Sequence, residues 1–63
     1  MKTIREWLNE LPEKERARAF NNVNPEMLEA TYPSMHAALH RAFVWADSKE
    51  KHEYWNKIAN QYN

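Results

Sequence analysis

The sequence predicts an all-α protein, a small bundle of four to five short helices. Two observations predict this fold class. Capping residues precede apolar positions of helical spacing at several points along the chain. The chain also contains no glycine, so the Asn-Gly turns that are typical of tight β-hairpins are absent.

The length predicts one domain, residues 1–63, that associates with further copies of itself. A domain of this size buries only about 60% of the surface that its unfolded chain exposes. Such domains usually need disulfides, a metal or association for stability. The chain has no cysteine, which excludes disulfides and fits a reducing compartment. We therefore expect a homo-oligomer.

Two helices are predicted near the start of the chain. Thr3 and Glu6 match a capping box, which predicts a helix as far as Leu11. Pro12 suits the first turn of a second helix. The residues expected to face inward are Trp7, Leu8 and Leu11 in the first helix, and Ala17, Phe20 and Val23 in the second.

A third, short helix is predicted where Asn24 precedes Pro25, as a cap followed by proline at the first helical position. Tyr32 is expected to end it, because the residue before a proline avoids helical backbone angles.

The last two helices carry the clearest core patterns. Ser34 is expected to cap the fourth helix, which continues to Ala46. Asp47, with Glu50 three residues on, is expected to cap the fifth helix over residues 49–63. The predicted inward positions are Met35, Leu39, Ala42, Phe43 and Ala46 in the fourth helix, and Trp55, Ile58, Ala59 and Tyr62 in the fifth.

Charge and hydropathy exclude several partners. The formal net charge is zero, which disfavours duplex DNA because phosphate neutralisation drives such binding. We expect no membrane partner, since no apolar run approaches about 20 residues. The opening MKTIREWLNEL does not resemble a secretory signal, which favours the cytosol. The basic residues at positions 14–18 alternate with Glu13 and Glu15, a pattern typical of a solvated surface.

Neither a metal nor catalysis is expected. His36 and His40 share a helix face at a spacing that zinc sites use, but zinc needs three or four ligands. The few hydroxyl groups lie at helix starts, where capping explains them. We predict no cofactor, no metal and no enzymatic activity.

Trp45 is the residue that the predicted core does not explain. It lies about 200° around the helix from Phe43 and on the side of Arg41. It can pack against another helix or another copy, with Arg41 in an internal cation–π contact. Alternatively, it can stack on a nucleobase while Arg41 contacts a phosphate. The candidate ligand-binding residues are then Trp45, Arg41, Tyr54, Lys49, His40 and His36.

The segment SMHAALHRAFVWADSKEKHEYWNKI resembles a pattern in small phage proteins: a serine-started helix, AFxW, a capped turn, then YW. REWLNELPEKERARA resembles the opening of the same proteins, so the similarity covers most of the chain. In these respects the chain is similar to phage anti-CBASS sponge proteins. Ser48 and Lys49 depart from the Thr-Pro-like turn of the pattern, and Lys51 stands where glycine is common.

This resemblance implies a phage immune-evasion protein of the host cytoplasm. Such a protein assembles into small oligomers and sequesters a cyclic dinucleotide without hydrolysing it. Stacking by Trp45 and Tyr54 is then expected, with Arg41 and Lys49 at phosphates and His40 or His36 donating to a phosphate or a base edge. The alternative is a phage host-takeover protein that inhibits a host protein through an aromatic patch, because interface anchors favour Trp, Tyr and Arg.

Overall fold

The computed structural model describes residues 1–44 and 46–62, and within them the chain is mostly helical. It forms four α-helices, a single-turn 3₁₀ helix and two very short strands. In chain order these elements are β1 (Lys2–Thr3), α1 (Ile4–Asn9), α2 (Glu13–Asn22), the 3₁₀ helix (Pro25–Met27), β2 (Thr31–Tyr32), α3 (Met35–Ala42) and α4 (Lys49–Asn60). None of the helices in this described part is long and apolar enough to cross a membrane.

The chain is mostly helical, as predicted, and the two short strands are an addition that the all-α prediction did not include. β1 and β2 pair antiparallel, with Lys2 opposite Tyr32 and Thr3 opposite Thr31. The backbone N–H of Ile4 extends the contact by donating to the carbonyl of Ala30 at 2.9 Å. Each strand has only two residues, too few to show the alternation that identifies a strand in a sequence. The pairing ties the start of α1 to the segment before α3.

Most of the predicted caps are confirmed. Thr3 and Glu6 form the complete capping box at α1. The side chain of Asn24 accepts a hydrogen bond from the N–H of Glu26 at the 3₁₀ helix. The hydroxyl of Ser34 accepts one from the N–H of Ala37 at α3. These signals are local, so the sequence alone predicts them well.

The predicted cap of α4 is wrong by one residue. Ser48 is the N-cap, and its hydroxyl accepts a hydrogen bond from the N–H of Lys51 at 3.2 Å. Asp47 lies one residue outside the helix and pairs instead with the ammonium of Lys51 at 3.2 Å. Ser and Asp are about equally good N-caps, so the sequence pattern does not decide between neighbours.

Helices α3 and α4 are shorter than predicted. α3 ends at Ala42 and not at Ala46, and Phe43 closes it by donating its N–H to the carbonyl of Leu39 at 3.2 Å. α4 ends at Asn60. Phe43 at the end of α3 stacks on Trp55 in the middle of α4, and His36 at the start of α3 contacts Ala59 at the end of α4. The two helices therefore run antiparallel.

A single apolar core joins all the helices. Five predicted inward positions are not in it. Ala17 is exposed, Tyr62 is 40% exposed and Ala46 is half-buried. Trp7 and Phe20 are half-buried and pack against the core. On α2 the fully buried alanine is Ala19, two positions from the predicted one. The core residues are Ile4, Leu8, Leu11, Ala19, Val23, Leu28, Met35, Ala38, Leu39, Ala42, Phe43, Trp55, Ile58 and Ala59.

Candidate ligand-binding groove

An open groove of about 420 Å³ lies between α2 and α4. Three pairs of residues line it, and each pair is spaced four residues apart, so its members are neighbours on one helix face. The volume falls in the range of about 300–1,000 Å³ that is typical of small-molecule sites. The pairs are Arg18 with Asn22 on α2, and Glu50 with Tyr54 and Lys51 with Trp55 on α4.

The guanidinium of Arg18 lies over the ring of Tyr54, with its central carbon 5.3 Å from the ring centroid. Arg18 is exposed and Tyr54 is half-buried, so this cation–π contact is at the surface of the groove. Such exposed contacts contribute about 0.5–1 kcal/mol. The contact therefore places an exposed cationic side chain on an aromatic face that packs against Trp55.

Trp55 forms the floor of the groove and fixes Tyr54. The ring of Trp55 is 3% exposed. The ring of Phe43 stacks on it with centroids 4.0 Å apart and planes 6° apart. Tyr54 meets Trp55 edge to face, with centroids 5.0 Å apart and planes 85° apart. Because offset-stacked and edge-to-face pairs are favoured, this set of rings holds Tyr54 in one orientation.

The charges along the groove are two cations and one carboxylate. Arg18 and Lys51 carry positive charge, and Glu50 carries negative charge. Lys51 also pairs with Asp47 at 3.2 Å. Both partners are largely exposed, so the pair is worth about 0–1 kcal/mol and can open for a ligand. The amide of Asn22 donates to the carbonyl of Arg18 at 2.8 Å.

Of the six residues predicted to bind a ligand, Tyr54 alone among the described ones lies in this groove. His40 lines a separate cleft of about 70 Å³ between α3 and α4, together with His52 and Asn56. His36 stacks on His40 with ring centroids 6.1 Å apart. The structure thus brings the two histidines together and separates them from Tyr54.

The other predicted residues lie outside the groove or outside the described chain. Arg41 is exposed in the last turn of α3, and Lys49 is exposed at the first position of α4. Trp45 lies outside the described residues. The interpretation of Trp45 used a helix that continues to Ala46, whereas α3 ends at Ala42.

His36 has a structural role. Its Nδ1 lies 2.9 Å from the carbonyl oxygen of Ala59. The contact links the first turn of α3 to the last turn of α4, at a carbonyl that also accepts a hydrogen bond from the N–H of Tyr62 at 3.0 Å. Among the described residues, no three His, Asp or Glu side chains come together in a way that could hold a metal ion.

The sequence interpretation missed Arg18, Asn22, Glu50 and Lys51. Arg18 was assigned to a solvated surface because acidic residues alternate with the nearby cations. The spacing of Arg18 and Asn22 does place both on one face of α2. This face becomes one wall of a groove only because α4 forms the other wall, and α4 lies about 30 positions further along the chain. A search of the sequence for pairs of polar residues spaced four positions apart, on two different helices, would have indicated this groove.

Comparison of the chain with protein-family models, with curated proteins and with solved structures gives no match.

Proposed function

We propose that this protein binds a cyclic dinucleotide in the groove between α2 and α4 and sequesters it intact. The observation that carries the proposal is the pairing of Arg18 with the fixed ring of Tyr54 inside an open groove. Within the resemblance to phage sponge proteins, such binding removes an immune signal in the host cytoplasm. Enzymatic turnover is not part of the proposal.

The chemistry of the groove fits a ligand that is both aromatic and anionic. A nucleobase can stack on Tyr54, and stacking on an aromatic side chain contributes about 1–3 kcal/mol per base. The guanidinium of Arg18 can pair with a phosphate through two hydrogen bonds. Lys51 adds a second positive charge on the opposite helix. A nucleotide combines both features in one molecule.

The energies indicate how a base gains access to the ring of Tyr54. The guanidinium of Arg18 covers one face of that ring. Its cation–π contact is worth about 0.5–1 kcal/mol, less than the stacking of a base. A base can therefore displace Arg18 from the ring. The freed guanidinium is then within reach of the phosphate on the same ligand.

Tyr54 lines the groove and is also one of the ligand-binding residues predicted from the sequence, whereas Arg18 and Lys51 are not. Arg18 and Lys51 take the phosphate-binding role that was expected of Arg41 and Lys49. Self-association remains part of the proposal, because a cyclic dinucleotide has two bases and a second copy offers a second Tyr54.

Native mass spectrometry with a panel of cyclic di- and trinucleotides tests the proposal. We expect an oligomer that gains the mass of one or more intact nucleotides for some members of the panel. Tyr54→Ala should lower the affinity about 5- to 150-fold, from the loss of stacking. Tyr62→Ala is the matched control, because Tyr62 is an exposed tyrosine beyond the end of α4 and should leave binding unchanged.

Two results would overturn the proposal. One is the absence of any nucleotide adduct on a folded chain. The other is equal loss of binding in the Tyr54 and Tyr62 variants. A stoichiometric host protein that binds the same surface, and loses affinity with Tyr54→Ala, would instead support the host-takeover alternative.

A further inference from the structure

We infer that the carboxylate of Glu50 makes the groove selective for a guanine base. This inference deepens the proposed function and rests on it. Glu50 lines the groove four residues before Tyr54 on α4. A carboxylate near the phosphates of an anionic ligand gains nothing in affinity, so the part of the ligand that Glu50 can favour is the base.

The position of Glu50 matches the edge of a base that stacks on Tyr54. Side chains four residues apart on a helix have Cβ atoms about 5–6 Å apart and lie on the same face. A base lying on the ring of Tyr54 therefore has one edge beside Glu50. Arg18 lies across the groove on α2, and Lys51 lies along the groove on α4. These two cations would hold the phosphates of the same ligand.

The hydrogen-bonding chemistry of a carboxylate selects among bases. An ionised Glu only accepts hydrogen bonds, and it accepts them through two oxygens side by side. Guanine presents two adjacent donors, N1–H and the N2 amino group, on its Watson–Crick edge. Adenine presents one amino group beside the acceptor N1, whose lone pair would face a carboxylate oxygen. A site built to accept two hydrogen bonds therefore favours guanine and disfavours adenine.

Glu50 also lies in the first turn of α4, where a negative charge interacts favourably with the helix dipole. This structural role predicts an effect on stability that is independent of any ligand. The selectivity role predicts an effect that depends on the identity of the base. A comparison of two ligands on the same variant separates the two roles.

The experiment titrates the wild-type protein and Glu50→Gln with cyclic di-guanosine and cyclic di-adenosine monophosphate by isothermal calorimetry. We expect the wild-type protein to bind the guanine ligand more tightly. Glu50→Gln should weaken guanine binding about 10- to 100-fold, because hydrogen bonds to charged groups are lost. Adenine binding should be unchanged or stronger. Glu53→Gln is the control, since Glu53 is exposed on α4 and does not line the groove.

The outcomes distinguish this inference from the proposed function. A wild-type protein that binds neither ligand nor any other nucleotide overturns both. A wild-type protein that prefers adenine, or a Glu50→Gln variant that weakens both ligands equally, overturns the guanine selectivity and leaves nucleotide binding intact. Thermal unfolding of the free variant measures the helix contribution separately.

Discussion

The ring of Phe43 lies parallel to the ring of Trp55, with centroids 4.0 Å apart and planes 6° apart. Both side chains are buried, at 4% and 3% exposure. Phe43 is the residue that closes α3, and Trp55 lies in the middle of α4. The stacked pair therefore joins the end of one helix to the next and supports the groove from below.

Replacing Phe43 by leucine should lower the free energy of unfolding by about 1–2 kcal/mol. Leucine keeps most of the buried volume but loses the aromatic stacking. Urea unfolding followed by circular dichroism measures the change. Val44→Ala is the neighbouring control: Val44 is 43% exposed, and such surface substitutions usually stay within about 0.5 kcal/mol. Equal effects of the two substitutions would contradict the assigned role of Phe43.

Replacing Ser48 by alanine should destabilise the protein by about 1 kcal/mol, because the N–H of Lys51 loses its capping acceptor. Asp47→Ala should cost less, since it removes only the exposed pair between Asp47 and Lys51. The same urea unfolding experiment compares the two variants. A larger loss of stability in Asp47→Ala than in Ser48→Ala would show that Asp47 is the N-cap of α4, as the sequence pattern predicts.

Lowering the pH should reduce the free energy of unfolding in part because Glu6 becomes protonated. The backbone N–H of Thr3 donates to the Glu6 carboxylate, and the Thr3 hydroxyl donates to it as well. Both hydrogen bonds lower the pKa of Glu6 from its ordinary value of 4.5, and the backbone one has the larger effect. A lowered pKa in the folded state stabilises the protein above the unfolded value. That contribution is lost as the pH falls below 4.5 and through the lowered pKa.

Carboxyl NMR titration of Glu6 in the folded and in the urea-unfolded chain measures this difference directly. Glu6→Gln retains an acceptor for the capping box but does not titrate. The variant should therefore lose stability less steeply with acid than the wild-type protein. An unchanged dependence on pH would show that the capping carboxylate contributes nothing to acid sensitivity.

Trp45→Ala and Tyr54→Ala together should show which aromatic residue binds a ligand. The groove predicts that Tyr54→Ala reduces the affinity for the nucleotide about 5- to 150-fold. The sequence interpretation predicts that Trp45→Ala abolishes binding while the helical circular dichroism signal remains. Arg18→Gln and Arg41→Gln form a second matched pair for the phosphate contact. If the Trp45 and Arg41 variants lose nucleotide binding while the Tyr54 and Arg18 variants bind fully, the groove is excluded as the ligand site.

The local parts of the fold could be predicted from the sequence. Caps at Thr3, Asn24 and Ser34 depend on hydrogen bonds within three residues, so their signal lies in the sequence itself. The pairing of Thr3 with Thr31 depends on backbone contacts across 28 positions and leaves no periodic pattern. Propensity therefore predicts the helices and does not predict the sheet.

The groove could not be predicted for a related reason. Arg18 and Tyr54 are 36 residues apart and meet only because α2 and α4 line the same groove. The sequence indicates that both helices are amphipathic, but not which polar faces become neighbours. Trp45 was predicted to bind a ligand because it lies outside the predicted core positions of the fourth helix. That prediction requires a helix that continues to Ala46, whereas α3 ends at Ala42.

The short sheet also has a consequence for the order of folding. Pairing of β1 with β2 closes residues 2–32 into a loop, whereas α3 and α4 meet across only six connecting residues. Closing a longer loop costs more chain entropy, and contacts between near neighbours form faster. We therefore expect the α3–α4 hairpin to form first and the N-terminal half to close onto it afterwards, completing the groove in the last step.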